Sequence, residues 1–235
     1  MTLDSRGHKA DLLRVGDGSS AETSSQSCIK AAAACATIDE VVTIGVLALQ
    51  GDFAEHEAIL SGLGVRAREV RLPRDLDGVD SLIIPGGEST TITRLLAMYD
   101  LLEPIRRFAR SRPVWGTCAG MIVMAKRATD LDREGLELMD IAVERNAFGR
   151  QVDSFETDLM IKGIEGPPVR AIFIRAPLIS EVQPGVEVLA TLEDGRIVAA
   201  KQGHLLVTAF HPELTDDSRL HKYFIEMAEG ANSVK

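Results

Sequence analysis

From Val41 onward the apolar residues come in short blocks, most of them the length of a strand. The block 41–49 is continuous and rich in β-branched residues, which fits a strand buried on both faces and hence a parallel sheet. Gln50-Gly51-Asp52 bounds it. Asp52 with Glu55 three residues on predicts a capping box and a helix. Ala54, Ala58, Ile59 and Leu63 fall on its buried side, and Gly64 ends it. Residues 65–72 alternate and are more polar, as in an edge strand, and 81–84 form a short third strand. Pro85-Gly86-Gly87-Glu88-Ser89-Thr90-Thr91 reads as a strand-to-helix loop whose backbone can come close to a ligand. Ile92, Leu95, Leu96 and Tyr99 give the face of the helix that follows. A further helix covers 102–111, with Ile105 and Phe108 inward. Pro113 opens a fourth strand, and a largely apolar helix over 119–127 follows it.

Alternation of this kind predicts an α/β fold. It is doubly wound, with a mixed, mainly parallel sheet, helices on both faces and ligands at the carboxyl ends of the strands. After residue 127 the pattern changes. Short strands are expected at 141–143, 158–162 and 169–174. The runs 186–192 and 197–201 are joined by Glu193-Asp194-Gly195-Arg196, a hairpin signal. Gln202-Gly203-His204 makes a second tight turn before the strand 205–210, so this half is antiparallel or mixed. A last helix over 217–229 buries Leu220, Phe224 and Met227. Residues 1–40 lack any hydrophobic period and are read as a disordered extension. That leaves 41–235 as one domain.

Composition narrows the partners. The 235 residues carry a net charge of −9, which argues against nucleic acid or an anionic membrane as partner, since both need a basic face. No apolar run approaches the ~20 residues of a membrane span. Cysteines number three, an odd count, and Cys28 and Cys35 fall in the extension without metal-ligand spacing. No disulfide framework is implied. The cytoplasm suits a chain whose one placed cysteine works as a thiolate.

That cysteine is Cys118, in Gly116-Thr117-Cys118-Ala119-Gly120. The segment has the form of a nucleophile elbow, with Cys in place of Ser. Glycines two residues either side let the backbone pinch, and the helix behind the sulfur aims N–H groups and its positive dipole end at it. A small buried cysteine at a strand–helix turn has the same local sequence. The strand 205–210 ends in His211-Pro212-Glu213. Residues two apart in extended chain share a side, so His211 can face the thiol while Glu213 steadies the ring, as a cysteine nucleophile requires. The other histidines read as ordinary: His8 in the extension, His56 half solvated on the first helix, His204 in a turn, His221 on the last helix. No pair has metal-site spacing. Arg145 and Arg175 follow strands and are placed to hold a carboxylate bidentately, and Glu88 can pair with an ammonium. Together they suit an amino-acid substrate.

The motifs above, with Gly45-Val46-Leu47-Ala48-Leu49-Gln50-Gly51, Phe173-Ile174-Arg175-Ala176-Pro177 and the run Arg145-Asn146-Ala147-Phe148-Gly149-Arg150-Gln151-Val152-Asp153-Ser154-Phe155, occur in one order. This closely resembles the glutaminase subunits of pyridoxal 5′-phosphate synthase, which are triad-type (class I) glutamine amidotransferases of flavodoxin-like fold. The likeness covers residues 43–229. It implies hydrolysis of L-glutamine to L-glutamate and ammonia without metal or cofactor, with Cys118 as nucleophile, His211 as general base and acid, and Glu213 orienting it. Glutamine would be bound by Gly87, Glu88, Ser89, Arg145, Ile174 and Arg175, and the oxyanion by the backbone N–H groups of Gly87 and Ala119. It further implies a hetero-oligomer with the synthase subunit, a TIM-barrel protein that receives the ammonia. Two other readings remain at this point: a cysteine hydrolase of the same fold acting on peptides or aldehydes, and a non-catalytic regulatory subunit.

Overall fold

The computed structural model describes residues 42–129, 131–145 and 154–232. The expectations for 1–40, and for most of the run 145–155, lie outside the described residues.

Five parallel strands form the centre. They are β1 (Thr43–Leu47), β2 (Arg66–Val70), β3 (Ser81–Ile84), β4 (Val114–Thr117) and β12 (Leu205–Thr208), in the order β2-β1-β3-β4-β12. The order runs one way from β1 to β2 and the other way from β3 to β4. Right-handed crossovers therefore put the connecting helices on opposite faces. Those helices are α1 (Phe53–Gly62) on one connection and α2 (Ser89–Met98) and α3 (Leu102–Phe108) on the other. Strands β1, β3, β4 and β12 are buried at every position, which is why their sequences are continuous apolar runs. β2 is largely exposed or half-buried because it is the edge.

Beyond β12 the sheet turns antiparallel through β11 (Ile197–Gln202), β9 (Leu178–Val182) and β6 (Met139–Glu144), and closes on β5 (Ala125–Ala128), parallel to β6. β10 (Glu187–Thr191) pairs with β11 through the expected Asp-Gly hairpin. A separate two-stranded sheet joins β7 (Ser154–Leu159) to β8 (Val169–Ile174). The last helix, α5, spans Arg219–Asn232.

Three expectations are corrected. The helix after the elbow, α4 (Ala119–Met124), is short, because the chain turns extended at Ala125 and enters β5. Strand β9 has no clear period and was not expected. On α1 the buried positions are His56 and Leu60, whereas Ala54 and Ala58 are exposed. A histidine occupies the centre of the inward face, so of the expected positions Leu63 packs against the core while Ala54 and Ala58 turn outward.

Candidate active site

Four neighbouring strands end at one place. β1 leads into Gln50-Gly51-Asp52, β3 into Gly86-Gly87-Glu88, β4 into Cys118 and β12 toward His211. Adjacent strands lie about 4.8 Å apart, so the in-register pair Thr117–Thr208 brings Cys118 and the chain approaching His211 side by side.

Cys118 has φ 46° and ψ −102°, a conformation that L-residues avoid and that stores roughly 1–3 kcal/mol. Its surroundings over-determine it. The Cys118 N–H donates to Thr208 O at 2.8 Å. A Cβ on Gly116 would lie 2.6 Å from the backbone of Gly120, and one on Gly120 only 2.0 Å from Ile84 O. The thiol faces Ile174 O at 4.0 Å and is one of the groups that raise the His211 pKa.

His211 and Glu213 meet, though not along an extended strand. Pro212–Leu214 is one 3₁₀ turn capped by His211. That turn brings His211 Nδ1 within 2.7 Å of Glu213 Oε1, with both residues buried. The His211 N–H donates to Ile172 O at 2.8 Å, tying β8 to the site.

A second carboxylate, missed in the sequence, flanks the ring. Asp52 precedes α1, but its side chain makes no cap bond there; Oδ2 lies 3.4 Å from His211 Nδ1 instead. The expected capping box is absent because this carboxylate faces the imidazole. Burial alone would lower the His211 pKa. Asp52, then Cys118 and Glu213, outweigh it and push the pKa up to about 12, so the ring holds its proton. The Asp52 pKa is lowered, chiefly by its hydrogen bond to His211. Burial raises that of Glu213 against the pull of the same ring.

The glycine loop is held from below. The Glu88 N–H donates to Gln50 Oε1 at 2.7 Å. A Cβ on Gly87, at φ 148°, would lie 2.6 Å from the same oxygen. Gly51 is equally confined, since a Cβ there would come within 1.7 Å of Gly86 O. Glu88 is the N-cap of α2, accepting from the N–H groups of Thr90 and Thr91 and from both hydroxyls. Burial opposes its ionisation, but these donors prevail and hold it at about 2. Arg145 Nη2 lies 3.4 Å from Glu88 Oε1. Ser89 is buried, and Ala119 opens α4 beside the thiol. Ile174 is half exposed at the end of β8, and Arg175 follows at φ 43°, a second strained residue beside the sulfur. Among the described residues, Asp52, His211 and Glu213 are the His/Cys/Asp/Glu group close enough to hold a metal ion; their ligand atoms are those of the imidazole–carboxylate contacts.

His56 and His221, read as ordinary, are both fully buried and in contact. Asp52 and His56 stand one helical turn apart, and that spacing was the available signal.

A family model described as the SNO glutamine amidotransferase family matches residues 46–230. The chain belongs to this family. It is 60% identical over 188 residues to the pyridoxal 5′-phosphate synthase subunit PdxT of Herpetosiphon aurantiacus, covering 78% of this chain and 99% of that one. To the PdxT of Roseiflexus castenholzii it is 54% identical, covering 79% of this chain and all of the relative. A crystal structure of a glutamine amidotransferase matches with a TM-score of 0.75 at 47% identity, over 79% of this chain and 98% of that one. The fold expected from the sequence is thus the fold of the SNO family.

Proposed function

We propose that the chain is the glutaminase subunit of a pyridoxal 5′-phosphate synthase, hydrolysing L-glutamine to L-glutamate and passing ammonia to a synthase subunit. The observation that carries this reading is the sulfur of Cys118, held on a strained elbow within reach of a charged imidazole backed by Glu213. The family and the named relatives support the choice of substrate and partner. The partner is a TIM-barrel protein in a cytoplasmic hetero-oligomer.

The steps follow from the charges. With the proton on His211, the sulfur attacks the side-chain amide carbon of glutamine as a thiolate. Negative charge develops on the amide oxygen, where the N–H groups of Ala119 and Gly87 receive it; losing one such donor typically lowers the rate by about 10²–10³. His211 then gives its proton to the departing ammonia. Neutral after that transfer, it takes a proton from the water that opens the thioester. Glu213 fixes which nitrogen faces the sulfur. Arg145 and Arg175 hold the substrate carboxylate, and Glu88, Ser89 and Ile174 line the amino-acid end.

Cys118→Ala tests this in the complex. Cofactor synthesis driven by glutamine should vanish, while synthesis driven by added ammonium should persist. Unchanged glutamine-driven synthesis would mean a regulatory subunit, and turnover of peptides without glutaminase activity would mean a different hydrolase.

A further inference from the structure

Two buried histidines have no part in these steps. His56 on α1 points Nε2 at Glu213 Oε2 and at Thr117 Oγ1, 3.4 Å from each. Its Nδ1 lies 2.9 Å from Nε2 of His221 on α5. Trp115 stands edge-on to both rings, with centroids 5.7 Å and 5.0 Å away, and closes the chamber. An unbroken series of polar contacts thus runs from α5 through α1 to the catalytic ring: His221, His56, Glu213, His211.

Burial lowers the pKa of both rings, that of His56 further through His221 and His211, and that of His221 to about 4. Each ring is therefore neutral and carries one N–H. Two arrangements are available. With its proton on Nδ1, His56 donates to His221. Its bare Nε2 then faces the Glu213 carboxylate, and His221 is left with a buried N–H on Nδ1, which has no partner atom. With the proton on Nε2, His56 donates toward Glu213 and Thr117 and accepts from the His221 Nε2–H. The atom left over is then a bare acceptor, the milder kind of orphan. The second arrangement also turns an N–H toward Glu213 Oε2, a buried oxygen that lacks a hydrogen-bond partner among the described residues and from which His56 Nε2 stands 3.4 Å away.

We infer that His56 is a positioning residue for the glutaminase reaction. It pins the second oxygen of Glu213 so that the first stays on His211 Nδ1, and His221 fixes the His56 tautomer from the last helix. The inference rests on Cys118, His211 and Glu213 acting as proposed above. Without His56, a buried carboxylate oxygen loses the donor standing nearest to it, and the hold of Glu213 on the His211 ring weakens.

The test has two parts. In full-length protein carrying ¹⁵N-histidine, with the His56 signal assigned by its loss in His56→Gln, His56 should be the neutral Nε2–H tautomer at neutral pH. An Nδ1–H tautomer or an imidazolium would overturn the inference, and this reading does not depend on any variant being active. In the complex, His56→Leu should lower kcat for glutamine on the order of 10-fold at unchanged KM, the loss expected for one hydrogen bond to a charged group. His56→Gln, whose amide nitrogen reaches the position of Nε2, should recover most of it. Equal losses in both variants, or an unchanged kcat in His56→Leu, would reduce His56 to packing. Wild-type protein inactive in the same assay would instead refute the glutaminase reading itself.

Discussion

The parallel and antiparallel halves of the molecule contribute different things to one site. Asp52, the Gly86-Gly87 loop, Cys118 and His211 all follow buried parallel strands, and the neighbouring Gly51, Gly116 and Gly120 lie against backbone too close to admit a Cβ. The other half, with the β7–β8 sheet, brings Ile174 and Arg175, both exposed, and the half-buried Arg145, all standing at strand ends or in loops. The first set must hold reacting atoms to a fraction of an ångström. In the proposed reaction the second recognises a charged amino acid, which tolerates looser tethers. The halves are joined at the site by the His211 N–H on Ile172 O and by the approach of Cys118 to Ile174 O.

The largest expected effect breaks the rigid half. Gly120→Ala should reduce stability by roughly 3 kcal/mol or more, because the new methyl meets the Ile84 carbonyl, which is backbone and cannot swing aside. Gly62→Ala, at the end of α1 with open space around it, should be neutral or slightly stabilising. Urea titration of the two variants checks the contrast; similar midpoints would mean the elbow is not confined.

A second effect is acid sensitivity. His56 and His221 have lowered pKa values in the folded chain, so the unfolded chain binds their protons first. Stability should fall as pH drops from about 6.5, the ordinary histidine value, toward about 4, by roughly 3 kcal/mol at most for His221. His211 does not confuse this window: its raised pKa gives stability that is fully present below 6.5 and lost only as pH rises toward about 12. Glu88, held at about 2, loses its contribution only below the usual carboxylate range. Glu213, with a raised pKa, works against the trend, so the informative quantity is the difference from a variant. His221→Gln keeps a donor toward His56 but does not titrate, and it should flatten the slope. A slope unchanged in that variant would show that the acid sensitivity arises elsewhere.

The smallest effect lies in the looser half. Arg145 is more enclosed than Arg175, its side chain only 18% exposed. Arg145→Ala should raise KM for glutamine by about 2 kcal/mol of binding, and Arg175→Ala by less than about 1, with kcat little changed in either. A loss confined to kcat would put these arginines in the chemistry and erase the division between the halves.

The same division governs what the sequence revealed. The parallel strands, both glycine loops and the Asp-Gly hairpin were legible because buried strands and pinched turns admit few residue types. The helix face carrying His56 was misread, since periodicity counts apolar side chains and the inward residue is a neutral histidine held by His221. Asp52 reads as a cap because a carboxylate before a helix is usually one; its contact with His211 depends on residues 159 positions apart becoming neighbours through the sheet. His211 and Glu213 were paired for the wrong reason, a 3₁₀ turn doing what an extended strand was expected to do. Strand β9 escaped notice because its pattern is neither alternating nor fully buried.

The central claim is that one sulfur, Cys118, attacks the glutamine side chain. An electrophilic glutamine analogue, incubated with the full chain and its synthase subunit and followed by mass mapping, tests it most directly. A single adduct on Cys118, suppressed by excess glutamine and sparing Cys28 and Cys35, is the predicted result. Labelling shared among the three cysteines, or absent from Cys118 while glutamine is being hydrolysed, would contradict it.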